Sequence, residues 1–174
     1  MKAQTWSELF AEYQYPLYRY LFRMCGSREI AEELLQETFY RAMLSLSIQE
    51  ARQVRAWLYK VARNLYIDWL RKQTSEQNML ENIRRLIPVA SRTYEPEMVY
   101  RQKEEKEKVA WVMQQLPERM RTILYLREIE DFTYQELATT LELSMDQVKV
   151  TLYRAREKFR EWEARAEGGK RDGG

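Results

Sequence analysis

Apolar side chains recur at steps of three and four along most of this chain, the spacing that gathers them on one face of an α-helix. Trp6, Leu9, Phe10, Tyr13, Leu17, Tyr20, Leu21 and Met24 make a first stripe, interrupted by Pro16. Gly26-Ser27 reads as a helix stop followed by an N-cap, and Ile30, Leu34, Leu35, Thr38, Phe39, Ala42 and Met43 form a second stripe behind it. Leu58, Val61, Ala62, Leu65 and Trp69 form a third. From about Gln73 to Pro96 the rhythm breaks at polar runs and at Pro88 and Pro96, although Met79–Ile87 has room for a helical turn or two. A charged run, Arg101–Lys108, then passes into Val109, Val112, Met113 and Leu116, and Pro117 marks a new helix start.

The sharpest local signal follows. Thr133-x-x-Glu136 is a capping box, in which hydroxyl and carboxylate each accept from the other residue's backbone N–H. It opens a helix that buries Tyr134, Leu137, Ala138 and Leu141. Ser144-x-x-Gln147 is a second box, starting a helix with the stripe Val148, Leu152, Ala155 and Phe159. Helix, short turn and capped helix describe either an ordinary helical hairpin or a helix-turn-helix whose second helix enters the DNA major groove. The outer face of that helix carries Lys149, Val150, Tyr153, Arg154 and Arg156, a set suited to phosphates and base edges.

Composition narrows the class. Four of the five glycines, Gly168, Gly169, Gly173 and Gly174, crowd the end, leaving Gly26 alone inside; a β-rich domain or a phosphate-cradling loop needs more. The fold expected is all-α: two small helical domains over 1–72 and 97–163, a flexible linker over 73–96, and a disordered tail over 164–174. Histidine is absent and Cys25 is the one cysteine, which removes histidine triads, Cys/His zinc sites and any internal disulfide. No catalytic residue, metal or cofactor is expected. Cys25, between Met24 and Gly26, fits packing better than redox sensing. The polar first residues give no sign of a secretory leader, and the apolar runs are too short for stable membrane insertion.

The net charge of +2 hides segregation. Residues 6–48 hold six acids and four bases, and residues 118–142 six acids and three bases. Residues 52–72 hold six bases against one acid, and residues 149–160 five bases against one. Alternating charge on solvated helix faces explains one such block; two arginine-rich blocks at corresponding places suit a polyanion better. On the Arg55–Lys72 helix, Trp57, Lys60, Asn64, Asp68 and Arg71 point away from the buried stripe, and Tyr59, Arg63 and Tyr66 occupy a third flank. Cations among aromatics suit single-stranded nucleic acid, where bases stack on π-faces. Equally, Trp57, Tyr59 and Tyr66 are placed to serve as core.

These residues carry a family resemblance. Ala31-Glu-Glu-Leu-Leu-Gln-Glu-Thr-Phe-Tyr-Arg-Ala42 and Arg55-Ala-Trp-Leu-Tyr-Lys-Val-Ala-Arg-Asn-Leu-Tyr-Ile-Asp-Trp-Leu-Arg71 resemble regions 2.2 and 2.3–2.4 of bacterial sigma factors. Leu116-Pro-Glu-Arg-Met-Arg-Thr-Ile-Leu-Tyr-Leu-Arg-Glu128, with Tyr134-Gln-Glu-Leu-Ala138 and Tyr153-Arg-Ala-Arg156, resembles region 4. The order, the spacing and the lack of regions 1.1 and 3 are those of the small extracytoplasmic-function group of the sigma-70 family.

The resemblance implies a transcription initiation factor that binds core RNA polymerase, recognises the minus-thirty-five and minus-ten promoter elements, and opens the DNA. It implies that the 29–43 helix docks on the clamp helices of the largest polymerase subunit through Glu33, Gln36, Glu37 and Phe39, an acidic surface with one exposed aromatic. The Ser47–Gln53 loop and the following helix would hold the melted non-template strand through Arg55, Trp57, Lys60, Arg63, Asn64 and Arg71, with Trp57 and Asn64 beside an extruded base. Lys149, Val150, Tyr153, Arg154 and Arg156 would meet the minus-thirty-five duplex, and the β flap of polymerase would hold the second domain. An anti-sigma factor is implied as a partner, and a cytoplasmic, nucleoid-associated location, with retention at the membrane through that inhibitor.

Three residues depart from the family pattern. Glu142 stands where Gly is usual in the helix-turn-helix turn, Thr151 where Arg is common, and Val150 where a small polar residue is common. Val150 cannot hydrogen-bond a base but can touch a thymine methyl. Two rival readings remain. A stand-alone helix-turn-helix regulator leaves the 55–72 and 29–43 helices without work. A carboxylate-metal enzyme would use Glu29, Glu32, Glu33 and Glu37, yet lacks the histidines of the common bundle sites.

Overall fold

The computed structural model describes residues 5–45, 53–84 and 104–171. Among these there is no strand, and seven α-helices follow in order: α1 (Trp6–Cys25), α2 (Arg28–Ser45), α3 (Val54–Arg84), α4 (Glu104–Gln115), α5 (Glu118–Leu124), α6 (Tyr134–Leu141) and α7 (Met145–Arg171). A π-helical stretch, Tyr125–Ile129, continues α5. The all-α expectation holds, and several boundaries move.

Pro16 lies inside α1 and does not end it. A proline there removes one helix hydrogen bond, at about 3 kcal/mol. The stripe of Leu9, Leu17, Tyr20, Leu21 and Met24, all buried, offsets that loss. Helix α3 passes residue 72 and runs to Arg84. The Thr74 hydroxyl donates to the Leu70 carbonyl at 2.9 Å, so the polar run is accommodated by bonding back onto its own helix. Residues 85–96 of the expected linker, and residues 47–52 of the expected strand-binding loop, lie outside the described residues. The expected tail is helical as far as Arg171. Lys108 pairs with Glu167 at 2.8 Å, and Trp111 meets Trp162 edge-on at 5.9 Å, so α7 is docked on α4 beyond residue 163.

The chain divides into two compact units, one of Met1–Leu9, Ser47–Lys60 and Val99–Gly174, the other of Phe10–Leu46 and Val61–Met98. By contact, the start of α3 groups with the C-terminal helices. The cause is specific contact. Tyr59 is buried edge-on to Phe132 at 5.0 Å, and the Thr140 hydroxyl donates to the Ala56 carbonyl at 3.1 Å.

In the unit of Phe10–Leu46 and Val61–Met98, Gly26 takes φ +71° after α1, a left-handed stop that suits a residue without Cβ. Ser27 then caps α2, its hydroxyl accepting from the Ile30 N–H at 3.3 Å. Phe10 packs on Phe39 at 4.8 Å, and the Tyr66 hydroxyl donates to the Met24 carbonyl at 3.1 Å. Tyr59 and Tyr66 are thus core residues, which answers the question the sequence leaves open about them.

Candidate nucleic-acid interface

Both capping boxes form. The Thr133 hydroxyl accepts from the Glu136 N–H at 3.1 Å while the Glu136 carboxylate accepts from the Thr133 N–H at 3.1 Å. Ser144 and Gln147 exchange the same pair of bonds at 2.9 and 3.1 Å. Between the boxes, Glu142 closes α6 at φ 55°, ψ 47°. This is the left-handed conformation in which a residue with a Cβ costs about 1 kcal/mol more than glycine.

With its start fixed, α7 buries Val148, Leu152 and Ala155 and turns Lys149, Val150, Tyr153 and Arg154 to solvent. The Tyr153 hydroxyl donates to Glu157 at 2.9 Å, and that bond holds the phenol above its ordinary pKa. A depression of about 300 Å³ beside this face is lined by Val150 and Arg154 together with Arg119 of α5. Sequence reasoning missed Arg119, because nothing in the periodicity tells that the start of α5 lies beside this face of α7. Arg156 is turned toward Glu128, with Nε at 3.1 Å and Nη2 at 2.8 Å from one carboxylate oxygen. It stands apart from the four residues it was grouped with.

The candidate minus-ten residues divide sharply. Asn64 and Arg71 are exposed, and Trp57 is half-buried with the Lys60 ammonium 5.1 Å from its ring centre. Arg63 is only 8% exposed, so its stem is folded into the core and does not line a solvent-facing cationic flank. Arg55 and Lys60 already hold acids of the C-terminal helices. Arg55 Nε and Nη2 each lie 2.7 Å from the two oxygens of Glu136, and Nη1 donates to the Glu130 carbonyl at 3.1 Å. The guanidinium carbon also sits 4.3 Å from the Phe132 ring centre. Lys60 Nζ lies 2.9 Å from Glu142 Oε1.

On α2, Glu33 and Gln36 are exposed, and half-buried Glu37 pairs with Arg41 at 2.9 Å. Phe39 does not supply the exposed aromatic expected there: it is 6% exposed, packed on Phe10, because it continues the buried stripe of Leu35 and Thr38. Its neighbour Tyr40 is 60% exposed and presents an aromatic ring to solvent on this helix. Glu29, Glu32 and Glu33 are exposed, and among the described residues no three acids or cysteines gather where a metal ion would be held. Among the same residues, no helix is long and apolar enough to cross a membrane.

Residues 9–76 match the family model of Sigma-70 region 2, and residues 107–159 that of Sigma-70, region 4. The chain is similar to the ECF RNA polymerase sigma factor SigM of Bacillus subtilis (strain 168), 31% identical over 159 residues, which cover 90% of this chain and 93% of the relative. It is also similar to the RNA polymerase sigma factor YlaC of the same organism, 30% identical over 151 residues, 86% of either chain. In fold it is similar to the sigma factor RpoE solved in complex with the anti-sigma factor NepR from Bartonella quintana. The TM-score is 0.68 at 18% identity, covering 90% of this chain and 94% of that one.

Proposed function

The chain belongs to the extracytoplasmic-function group of RNA polymerase sigma factors, and from that premise we propose how its residues divide the work of promoter recognition and opening. The family is not one of enzymes. In this division the chain makes and breaks no bond itself; it positions the polymerase, which does the chemistry.

Behind the division stands the solvent face of α7, where Lys149, Val150, Tyr153 and Arg154 project together from a helix start fixed by the Ser144–Gln147 box. The two cations meet phosphates of the minus-thirty-five duplex, with Arg119 beside them, while Val150 and Tyr153 lie over base edges. On α3, Trp57, Asn64 and Arg71 take the non-template strand of the minus-ten element once it unpairs. Stacking on an aromatic is worth about 1–3 kcal/mol per base, enough to draw a weak A·T step toward the open form.

Protein contacts complete the assignment. Glu33, Gln36 and Glu37 steer α2 onto the clamp helices of polymerase, with exposed Tyr40 as the apolar anchor in place of Phe39. A groove of about 400 Å³ lined by Val109, Met113, Leu124, Ile129 and Phe159 gives the C-terminal unit an apolar surface for the β flap. An anti-sigma factor competes for these surfaces and holds the chain, in the cytoplasm, away from the nucleoid. Run-off transcription with purified core polymerase and genomic promoter fragments tests the assignment. Transcripts that require this chain are expected; no transcript and no association with core polymerase would overturn it.

A further inference from the structure

On the reading of α7 as the base-reading helix, on which this inference rests, we propose that Asp146 is a specificity-determining residue. Its carboxylate accepts a hydrogen bond from the N4 amino group of a cytosine at one position of the minus-thirty-five duplex. Asp146 lies in the first turn of α7 and is exposed. It lines the same depression as Arg119, Val150 and Arg154.

The second helix of a helix-turn-helix sends its first residues toward base edges. Asp146 precedes Val150 by one turn, so the two project from the same side of α7. An acid in a first turn commonly serves the helix itself, because the N-terminal dipole favours negative charge. Here the helix start already has its side-chain hydrogen bonds. The Ser144 hydroxyl accepts from the Gln147 N–H at 3.1 Å, and the Gln147 side-chain oxygen accepts from the Ser144 N–H at 2.9 Å. The Asp146 carboxylate takes no part in that exchange, and among the described residues no ion pair holds it. It is an open acceptor on a surface of cations and apolar groups.

A carboxylate that faces DNA is repelled by the phosphates, so it weakens binding to every duplex unless a base edge supplies a donor. In the major groove guanine shows two acceptors, N7 and O6, and thymine shows O4 and a methyl group, so an ionised carboxylate finds a donor on neither. Adenine and cytosine each show an amino group. Adenine sets its N7 acceptor beside that group, where it opposes the second carboxylate oxygen, whereas cytosine has C5–H there. Cytosine is therefore the base that a carboxylate at this place selects.

Selection from a duplex library randomised across the minus-thirty-five element tests the role, with the full chain bound to core polymerase and the retained DNA sequenced. Wild type is expected to favour cytosine over guanine by about tenfold at one position. Asp146→Ala is expected to bring that ratio below about twofold and to leave the other positions as they were. Asp146→Asn is expected to move the preference at the same position from cytosine to adenine, since an amide pairs with N6 and N7 together. A switch of base cannot come from a change in helix stability. No change at any position in either variant, a loss of affinity for all sequences with preferences unchanged, or a wild-type preference other than cytosine at the responsive position would overturn the role of Asp146. A wild-type complex that selects no sequence at all would instead overturn the reading of α7 as the base-reading helix.

Discussion

The hydroxyl of Thr140 donates to the carbonyl of Ala56 across 3.1 Å, joining side chain to backbone over 84 positions of sequence, and Thr140 is buried. Replacing Thr140 with Val keeps the shape but removes the donor. The expected loss is about 1–2 kcal/mol of unfolding free energy, with Thr140→Ser losing less. Urea denaturation at constant m-value checks it; equal stability of Thr140→Val and wild type would mean the bond contributes nothing net.

Acid weakens the same region through Glu136. Burial pushes its carboxyl up, but the hydrogen bonds from Arg55 and Thr133 and the charge of Arg55 outweigh burial and hold it below the ordinary 4.5. The folded chain therefore binds this proton less readily than the unfolded chain. Its stabilising contribution is complete above about pH 4.5 and is lost as pH falls through the lowered value. Thermal melts of wild type and Glu136→Gln, stepped from neutral pH downward, are expected to show a Tm gap that is widest near neutrality and closes below that point. A gap independent of pH would assign the effect to shape and not to charge.

Asn64 is exposed on α3, and its amide can meet the Watson–Crick edge of an unpaired base. Substituting Asn64→Ala in the polymerase complex is expected to lower the open-complex equilibrium by roughly ten- to a hundredfold, with closed-complex affinity little changed. Permanganate reactivity of unpaired thymines, measured beside filter binding, separates the two steps. Equal losses in both would remove Asn64 from the opening step.

Cations on α7 are expected to act differently from base-reading side chains. Lys149→Ala should weaken binding to all promoter sequences alike and reduce the slope of log affinity against log salt by about 1. Val150→Ser should change preference among bases with little change in slope. A changed preference in Lys149→Ala would move that residue from the phosphates to the base edges.

Local chemistry was legible in the residues, and long-range partnership was not. Thr133–Glu136, Ser144–Gln147 and Gly26-Ser27 bond within a few positions of themselves, so their roles follow from order and type alone. Helical spacing marks most of the buried faces of α2, α6 and α7 and already places Phe39 on a stripe that Tyr40 does not join; the family resemblance, not the spacing, implies an exposed Phe39, and Met43 on the same stripe is exposed. Pro16 interrupts the pattern because its missing N–H is visible in sequence, whereas the buried Leu17, Tyr20 and Leu21 that outweigh it act only after packing. Arg55 with Glu136, and Arg156 with Glu128, lie 81 and 28 residues apart. No periodicity reports such encounters, so the acids that these two arginines hold are not visible in the sequence.

The Ser144–Gln147 exchange has a consequence for specificity. It decides which residue is the first of α7, and one residue of slippage rotates every later side chain by about 100° around the helix axis. About half of the set Lys149, Val150, Tyr153 and Arg154 would then turn toward neighbouring helices, and Val148 would leave the core. On the proposed reading of α7 as the base-reading helix, base preference is thus set in part by a hydroxyl and an amide that touch no base and act as its indexing pin.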